Sequence, residues 1–167
     1  MMKTKIKLLT LLTLVAMATS SYAQVIDKED MDYIQREWGM AKQDLVKSYM
    51  KLQEPQASAF WKMYNDYEVE RKALGTVRIK LLNEYAMLLE SLTTEKADEI
   101  AKAVLKNNIA YQKLYKEYYG KAKKAVGAID AAKFIQAEIA LQTAINADMQ
   151  ATIPFIGEIQ HAKMHHH

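Results

Sequence analysis

The residue pattern predicts an all-α chain: four helices with a long antiparallel central hairpin, elongated rather than globular. Three observations predict it. Helix breakers are scarce, with Pro55 and Pro154 the only prolines and five glycines in 167 residues. Apolar residues recur three or four positions apart over long stretches, the spacing that places them on one side of a helix. No stretch alternates apolar with polar residues, and no Asn-Gly type turn punctuates the chain, so strands lack their signal.

The first segment reads as an export signal. Lys3, Lys5 and Lys7 come before any acid, an apolar run from Leu8 to Ala18 follows, and Ser21-Tyr22-Ala23 places small residues where a signal peptidase cuts. The apolar run is about 11 residues, against about 20 for a bilayer span. Cleavage after Ala23, release into the periplasm and no stable membrane insertion are therefore expected, and a chain without cysteine has no lipid anchor at that site. Removing those three of the 23 basic residues leaves 20, equal to the 20 acidic ones. The remaining 24–167 has no basic excess, so nucleic acid is not an expected partner. Its length suits a single helical domain, 24–154, followed by a histidine-containing tail, 155–167. Without disulfides, stability must come from packing.

Four helices follow in order. The first is expected over Lys28–Lys51, with Met31, Ile34, Trp38, Ala41, Leu45, Tyr49 and Leu52 as its apolar row. The second, over Glu54–Ser91, carries a seam of unbroken three-and-four spacing through Phe60, Tyr64, Tyr67, Arg71, Leu74, Arg78, Leu81, Tyr85 and Leu88. The third spans Thr94–Val126, with Val104, Asn108, Tyr111, Tyr115 and Tyr118. The fourth spans Ala131–Thr152, with Phe134, Ile135, Leu141, Ile145 and Met149, and ends before Pro154 and Gly157.

The joints share one design: an apolar residue, a cap, then the helix. Leu52, Leu92 and Ile129 each precede a cap position, at Gln53, Thr93 and Asp130, and can fold back on Ala57, Ala97 and Phe134 as hydrophobic staples. Thr93 and Asp130 are good N-caps, whereas glutamine is a poor one. The short turn at Leu92–Thr94 forces the second and third helices to be antiparallel neighbours. Residue numbers across this hairpin then sum to about 186, which sets Arg78 opposite Asn108 and Arg71 opposite Tyr115. Arg78 and Asn108 so form a polar layer that fixes register, or the arginines face an open groove. A helix of about 38 residues is ~57 Å long at 1.5 Å per residue, too long for a compact globule.

This plan resembles the Spy/CpxP-like family of small periplasmic chaperones, whose helix starts carry Leu-Thr-x-x-Gln motifs. Leu52-Gln53-Glu54-Pro55-Gln56 keeps the leucine and the final glutamine, with Gln in place of Thr. Leu92-Thr93-Thr94-Glu95-Lys96 keeps Leu and Thr, with Lys in place of Gln. The resemblance covers most of 28–154, and Gln136 and Glu138 after Lys133-Phe134 also look like a fourth-helix signature of envelope relatives. It implies an ATP-independent chaperone that needs no cofactor, forms an antiparallel cradle-shaped homodimer and holds unfolded envelope proteins on its concave face. Some members of the family instead restrain a membrane sensor, and others are linked to metal stress.

Catalysis has no residues to work with. There is no cysteine nucleophile, no Gly-x-Ser-x-Gly elbow and no Gly-rich phosphate loop, and no histidine occurs before His161. Glu158-Ile159-Gln160-His161 has the spacing of one half of a di-metal bundle site, without the second copy such sites use. His161 and His165, four apart, are candidate ligands for copper, nickel or zinc, or part of a histidine end without a role. The rings of Phe60, Trp61, Tyr64, Tyr115 and Tyr118 crowd one end of the hairpin, where most read as core, but some aromatic surface is expected to stay exposed or be covered in a dimer. These residues, with Arg71 and Arg78, are the candidate client contacts. Lys72 and Lys80 would add salt-sensitive attraction.

Overall fold

A computed structural model describes residues 42–151. The expected signal segment, the first part of the first helix and the tail with His161 and His165 lie outside the described residues. Within them the chain is helical and contains no strand: α1 at 42–50, α2 at Gln56–Leu88 and α3 at Thr94–Ala151. None of these helices is long and apolar enough to cross a membrane.

α2 and the first limb of α3 (94–126) run antiparallel. Glu70 bonds to Tyr118 at 2.7 Å, the Leu74 carbonyl to Asn107 at 3.0 Å, Arg78 to Asn108, and Glu84 to Lys96 at 2.6 Å. Numbers climb along one helix as they fall along the other, as the short turn dictates. Thr93 caps the start of α3: its Oγ1 accepts the Lys96 N–H at 3.2 Å, and Glu95 sits in the positive first turn.

The other two joints depart from expectation. Gln53 offers only its carbonyl, to the Ala57 N–H at 2.9 Å, and Pro55 holds the cap position of α2 with no side-chain bond. Glu54 supplies the missing acceptor instead, taking Ser58 N–H at 3.3 Å and its hydroxyl at 2.7 Å. Gln56 is the exposed first residue of α2 and reciprocates with nothing.

Asp130 is not a cap either. The third and fourth expected helices join through Gly127 alone, at φ 84°, ψ 171°, a region only glycine visits cheaply. Helix resumes before Asp130, whose carboxylate pairs with Lys133 at 2.8 Å. Ile129 is 76% exposed, so its staple to Phe134 does not form. One glycine in this conformation replaces the loop that the cap was to close.

The reversal at Gly127 folds the second limb of α3 (128–151) back over the wide end of the hairpin. Tyr118 from the first limb and Phe134 from the second both pack edge-on against Tyr67, with centroids 5.2 and 5.3 Å away. Phe134 also meets Phe60 at 5.4 Å and Tyr64 at 6.1 Å. α1 adds Val46 and Met50 to the same core, one helical face four residues apart. Toward the 89–93 turn the packing thins. From Lys72 to Ala110 only Ile100 and Asn107 are buried.

The two helical glycine positions separate backbone strain from space. No side-chain or neighbouring atom lies within 4 Å of a Cβ built at either Gly120 or Gly127, but only Gly127 has positive φ. Gly127→Ala is expected to lower unfolding stability by about 1–3 kcal/mol, while Gly120→Ala raises it by about 0.5–1 kcal/mol. Urea denaturation of the two variants checks the contrast; equal effects would refute the assigned turn.

Candidate functional site

Two places on this fold concentrate chemistry: a buried ionic cluster at the wide end, and exposed apolar residues along the thin part of the hairpin.

The cluster is assembled from three helices. Tyr64, Tyr67, Glu68 and Arg71 project from one face of α2, at the three-and-four spacing of its seam. Lys42 enters from α1 and Glu138 from the second limb of α3. The Lys42 Nζ lies 2.5 Å from Glu68 Oε1 and 2.6 Å from Glu138 Oε2, with the Tyr64 hydroxyl at 3.4 Å. Arg71 grips Glu68 with two nitrogens, at 2.8 and 3.0 Å. The Tyr67 hydroxyl donates to Glu138 at 2.6 Å. Lys42 is 3% exposed and Glu138 0%, so these charges have lost their water.

Two cations and two carboxylates make the cluster formally neutral, but its members respond differently to burial. Desolvation pushes the Lys42 ammonium down, against the pull of Glu138 and Glu68. It pushes the Glu138 carboxyl up, beyond what Lys42 and Tyr67 restore, and Glu138 Oε1 has no hydrogen-bond partner among the described residues. Glu68 is better placed. Burial opposes its charge most strongly, yet Lys42 and the Arg71 fork together hold it below its ordinary range. Burial likewise raises Tyr64 and Tyr67, so both stay neutral, Tyr64 accepting from Lys42 and Tyr67 donating to Glu138. Removing one partner of such a pair costs about 3–5 kcal/mol, because the other charge is left buried and alone. The cluster is thus an enclosed clamp that fixes α1 and the second limb of α3 on α2.

Most of the aromatic residues expected to meet clients are part of this closed end. Phe60, Tyr64, Tyr115 and Tyr118 are buried, as is Arg71, and Trp61 is half-buried against Phe60 and Tyr64. The sequence reads most of these rings as core with some aromatic surface left over for clients, and the folded-back limb of α3 closes off that remainder. Arg78 is half-buried and hydrogen-bonded to exposed Asn108, so the expected polar pair forms at the hairpin's surface, and the buried asparagine is its neighbour Asn107, bonded to the Leu74 carbonyl. Leu52 packs beside the core and Leu92 is half-buried. Among the described residues no group of three His, Cys, Asp or Glu could hold a metal ion, and the His161 and His165 candidates fall outside them.

Lys42, Glu68 and Glu138 were not singled out by sequence pattern for a role. One signal was available: Glu138 is the only charged residue between 134 and 147, and a lone charge in such a run is either buried with a partner or costly. Nothing local marks Lys42.

The accessible apolar surface lies elsewhere. Val77 is 45% exposed, Met87 52%, Leu105 61% and Ile109 57%. Leu105 and Ile109 are one turn apart on a shared face, and the register that pairs Arg78 with Asn108 sets Val77 level with Ile109. Leu81, Leu82 and Leu88 beside them are only half-buried.

The raised Glu138 carboxyl has a pH consequence. Folded chain keeps this proton at pH values where unfolded chain has released it, so the folded state binds more protons and stability falls as pH rises. Glu68 has the opposite sign, its contribution being lost only in acid, and it is present in both wild type and variant. The stability of wild type relative to Glu138→Gln should therefore be highest in acid and shrink as pH climbs through the carboxylate range to neutrality. Chemical denaturation across that range checks it; a difference that grows with pH would show Lys42 holding Glu138 charged. Compared with known proteins, the chain matches no family model, no curated protein and no solved structure.

Proposed function

We propose that this chain is an exported envelope protein that holds unfolded or misfolded proteins without nucleotide and without catalysis. The observation that carries the reading is the half-open hairpin: a helical scaffold fixed at one end, with Val77, Met87, Leu105 and Ile109 left 45–61% exposed along the other. Isolated exposed apolar residues are ordinary, but four of them along the thinly packed part of one hairpin suit binding to other apolar chains. Lys80 and Lys106 are exposed on the same part of the hairpin and would draw acidic clients in a salt-dependent way.

Export rests on the Met1–Ala23 pattern, and the chaperone class on the Leu-Thr-x-x-Gln-like joints. Thr93 performs in the fold the capping role that such a motif requires. The client surface belongs on the thin part of the hairpin rather than on the buried rings.

The reading is tested by suppression of aggregation of several unrelated unfolded proteins. Wild type should protect them, and Leu105→Ser with Ile109→Ser should weaken client affinity about tenfold or more, since two exposed aliphatic side chains are worth at least ~1.4 kcal/mol together. Stability should move by less than about 0.5 kcal/mol per site, as for surface positions. Failure of wild type to protect any of the clients would end the proposal, and protection of one alone would point to a dedicated partner.

A further inference from the structure

Positive charge is gathered on one stretch of the chain. Residues 24–167 balance 20 basic residues against 20 acidic ones, yet 102–126 holds seven lysines, no arginine and one acid, Glu117. All seven lysines are exposed. Lys102 pairs with Asp98 at 2.5 Å and Lys121 with Glu117 at 2.7 Å. The other five, Lys106, Lys113, Lys116, Lys123 and Lys124, enter no ion pair among the described residues.

The helix sets these five on one side. At about 100° per residue they fall within an arc of about 100° and span ~27 Å of the helix axis. Tyr111, Tyr115, Tyr118 and Ala122, all buried, occupy nearly the opposite side, so the arc is the outer face of the first limb of α3. Leu105 and Ile109, 61% and 57% exposed, lie inside the same arc. Gly120 does too, and a Cβ built there meets open space. The outer face thus mixes five unpaired cations with two exposed aliphatic side chains.

The geometry points to this face as the one that the chain lays against a lipid bilayer rich in anionic phospholipid. Phosphate headgroups neutralise the lysines. The lysine stems run along the interface with their ammonium groups among the headgroups, and Leu105 and Ile109 enter the boundary of the acyl region. A linear soluble polyanion could take the lysines but offers no apolar phase to the two aliphatics. A folded acidic protein is matched less well, because protein interfaces are enriched in arginine and depleted of lysine, and the stripe has no arginine. Lysine is a hydrated point charge on a flexible stem, suited to a fluid array of headgroups with no fixed pattern. No helix among the described residues is long and apolar enough to cross a membrane, so the contact is adsorption and is sensitive to salt.

The inference does not rest on the client-holding reading, and Lys113, Lys116, Lys123 and Lys124 lie outside the surface assigned to clients. The full chain is expressed so that the host processes Met1–Ala23, and co-sedimentation is measured with vesicles of phosphatidylglycerol and phosphatidylcholine in equal parts. Wild type should bind these vesicles, ignore pure phosphatidylcholine, and come off as sodium chloride rises from about 0.05 to about 0.5 M. Replacing the four lysines together by glutamine should weaken binding about a hundredfold or more, with client protection and melting temperature unchanged. In this chain, which lacks cysteine, a fluorophore on Gly120→Cys should be shielded by the vesicles from an aqueous quencher. One on Val69→Cys, on the outer side of α2 and 71% exposed, should not. The two labels decide the matter independently of how the fourfold variant folds. A wild type that binds no anionic vesicle overturns the proposal, whether the stripe is left to solvent or neutralised by acids of the chain itself. Tighter binding to soluble polyphosphate than to the vesicles also overturns it, as does vesicle binding that the glutamine variant keeps. Shielding at Val69 in place of Gly120 would place the contact on another face and overturn it too.

Discussion

Tyr67 is the contact on which the closed end of the molecule depends. Its ring takes Tyr118 from the first limb of α3 and Phe134 from the second, and lies under the Lys42 ammonium at 5.1 Å. Its hydroxyl holds Glu138, which in turn holds Lys42. One side chain of α2 thereby touches every other helical limb. Edge-on ring pairs add about 0.5–1.5 kcal/mol each beyond the area they bury, and neutral tyrosine is the group that can fill the apolar space and still satisfy a buried carboxylate. The arrangement is possible only because Gly127 reverses the chain within one residue, which brings Phe134 and Glu138 back over α2.

The thin part of the hairpin follows from the same constraint. Rings are abundant in α2 up to Tyr67 and in α3 from Tyr111 to Tyr119, and these meet across the register. Past Arg71 the seam is aliphatic and polar apart from Tyr85, with Arg78 and Asn108 bonded to each other and Asn107 bonded to the Leu74 carbonyl. Such contacts fix register but bury little. Stability is not uniform within a fold, and segments with few buried contacts open most readily. The proposed holding of varied apolar segments would gain from this division, with a rigid end to hold the shape and a loosely packed end to bind.

Much of the fold was legible because local chemistry decided it. Thr93 stands where a cap must be, and a short turn leaves α2 and α3 no alternative to antiparallel pairing, so Arg78 meets Asn108 as simple counting requires. What was not legible needed three-dimensional knowledge. Asp130 is a better cap than most residues, and only the reversal at Gly127 makes it an ordinary helical position. The rings of Phe60, Tyr64, Tyr115 and Tyr118 read equally well as core or as surface until a further limb covers them. Lys42 is an unremarkable lysine in sequence, and its burial is set by Glu68 and Glu138, 26 and 96 positions further along the chain.

The division between a closed end and an open end is the claim that function rests on, and amide hydrogen exchange tests it most directly. In the free chain, residues 60–71, 111–122 and 131–142 should exchange only by global unfolding, while residues 77–105 exchange by local opening. Adding reduced, carboxymethylated α-lactalbumin, a permanently unfolded chain, should slow the second group and leave the first unchanged. Equal protection along the whole hairpin, or slowing confined to the aromatic end, would contradict it.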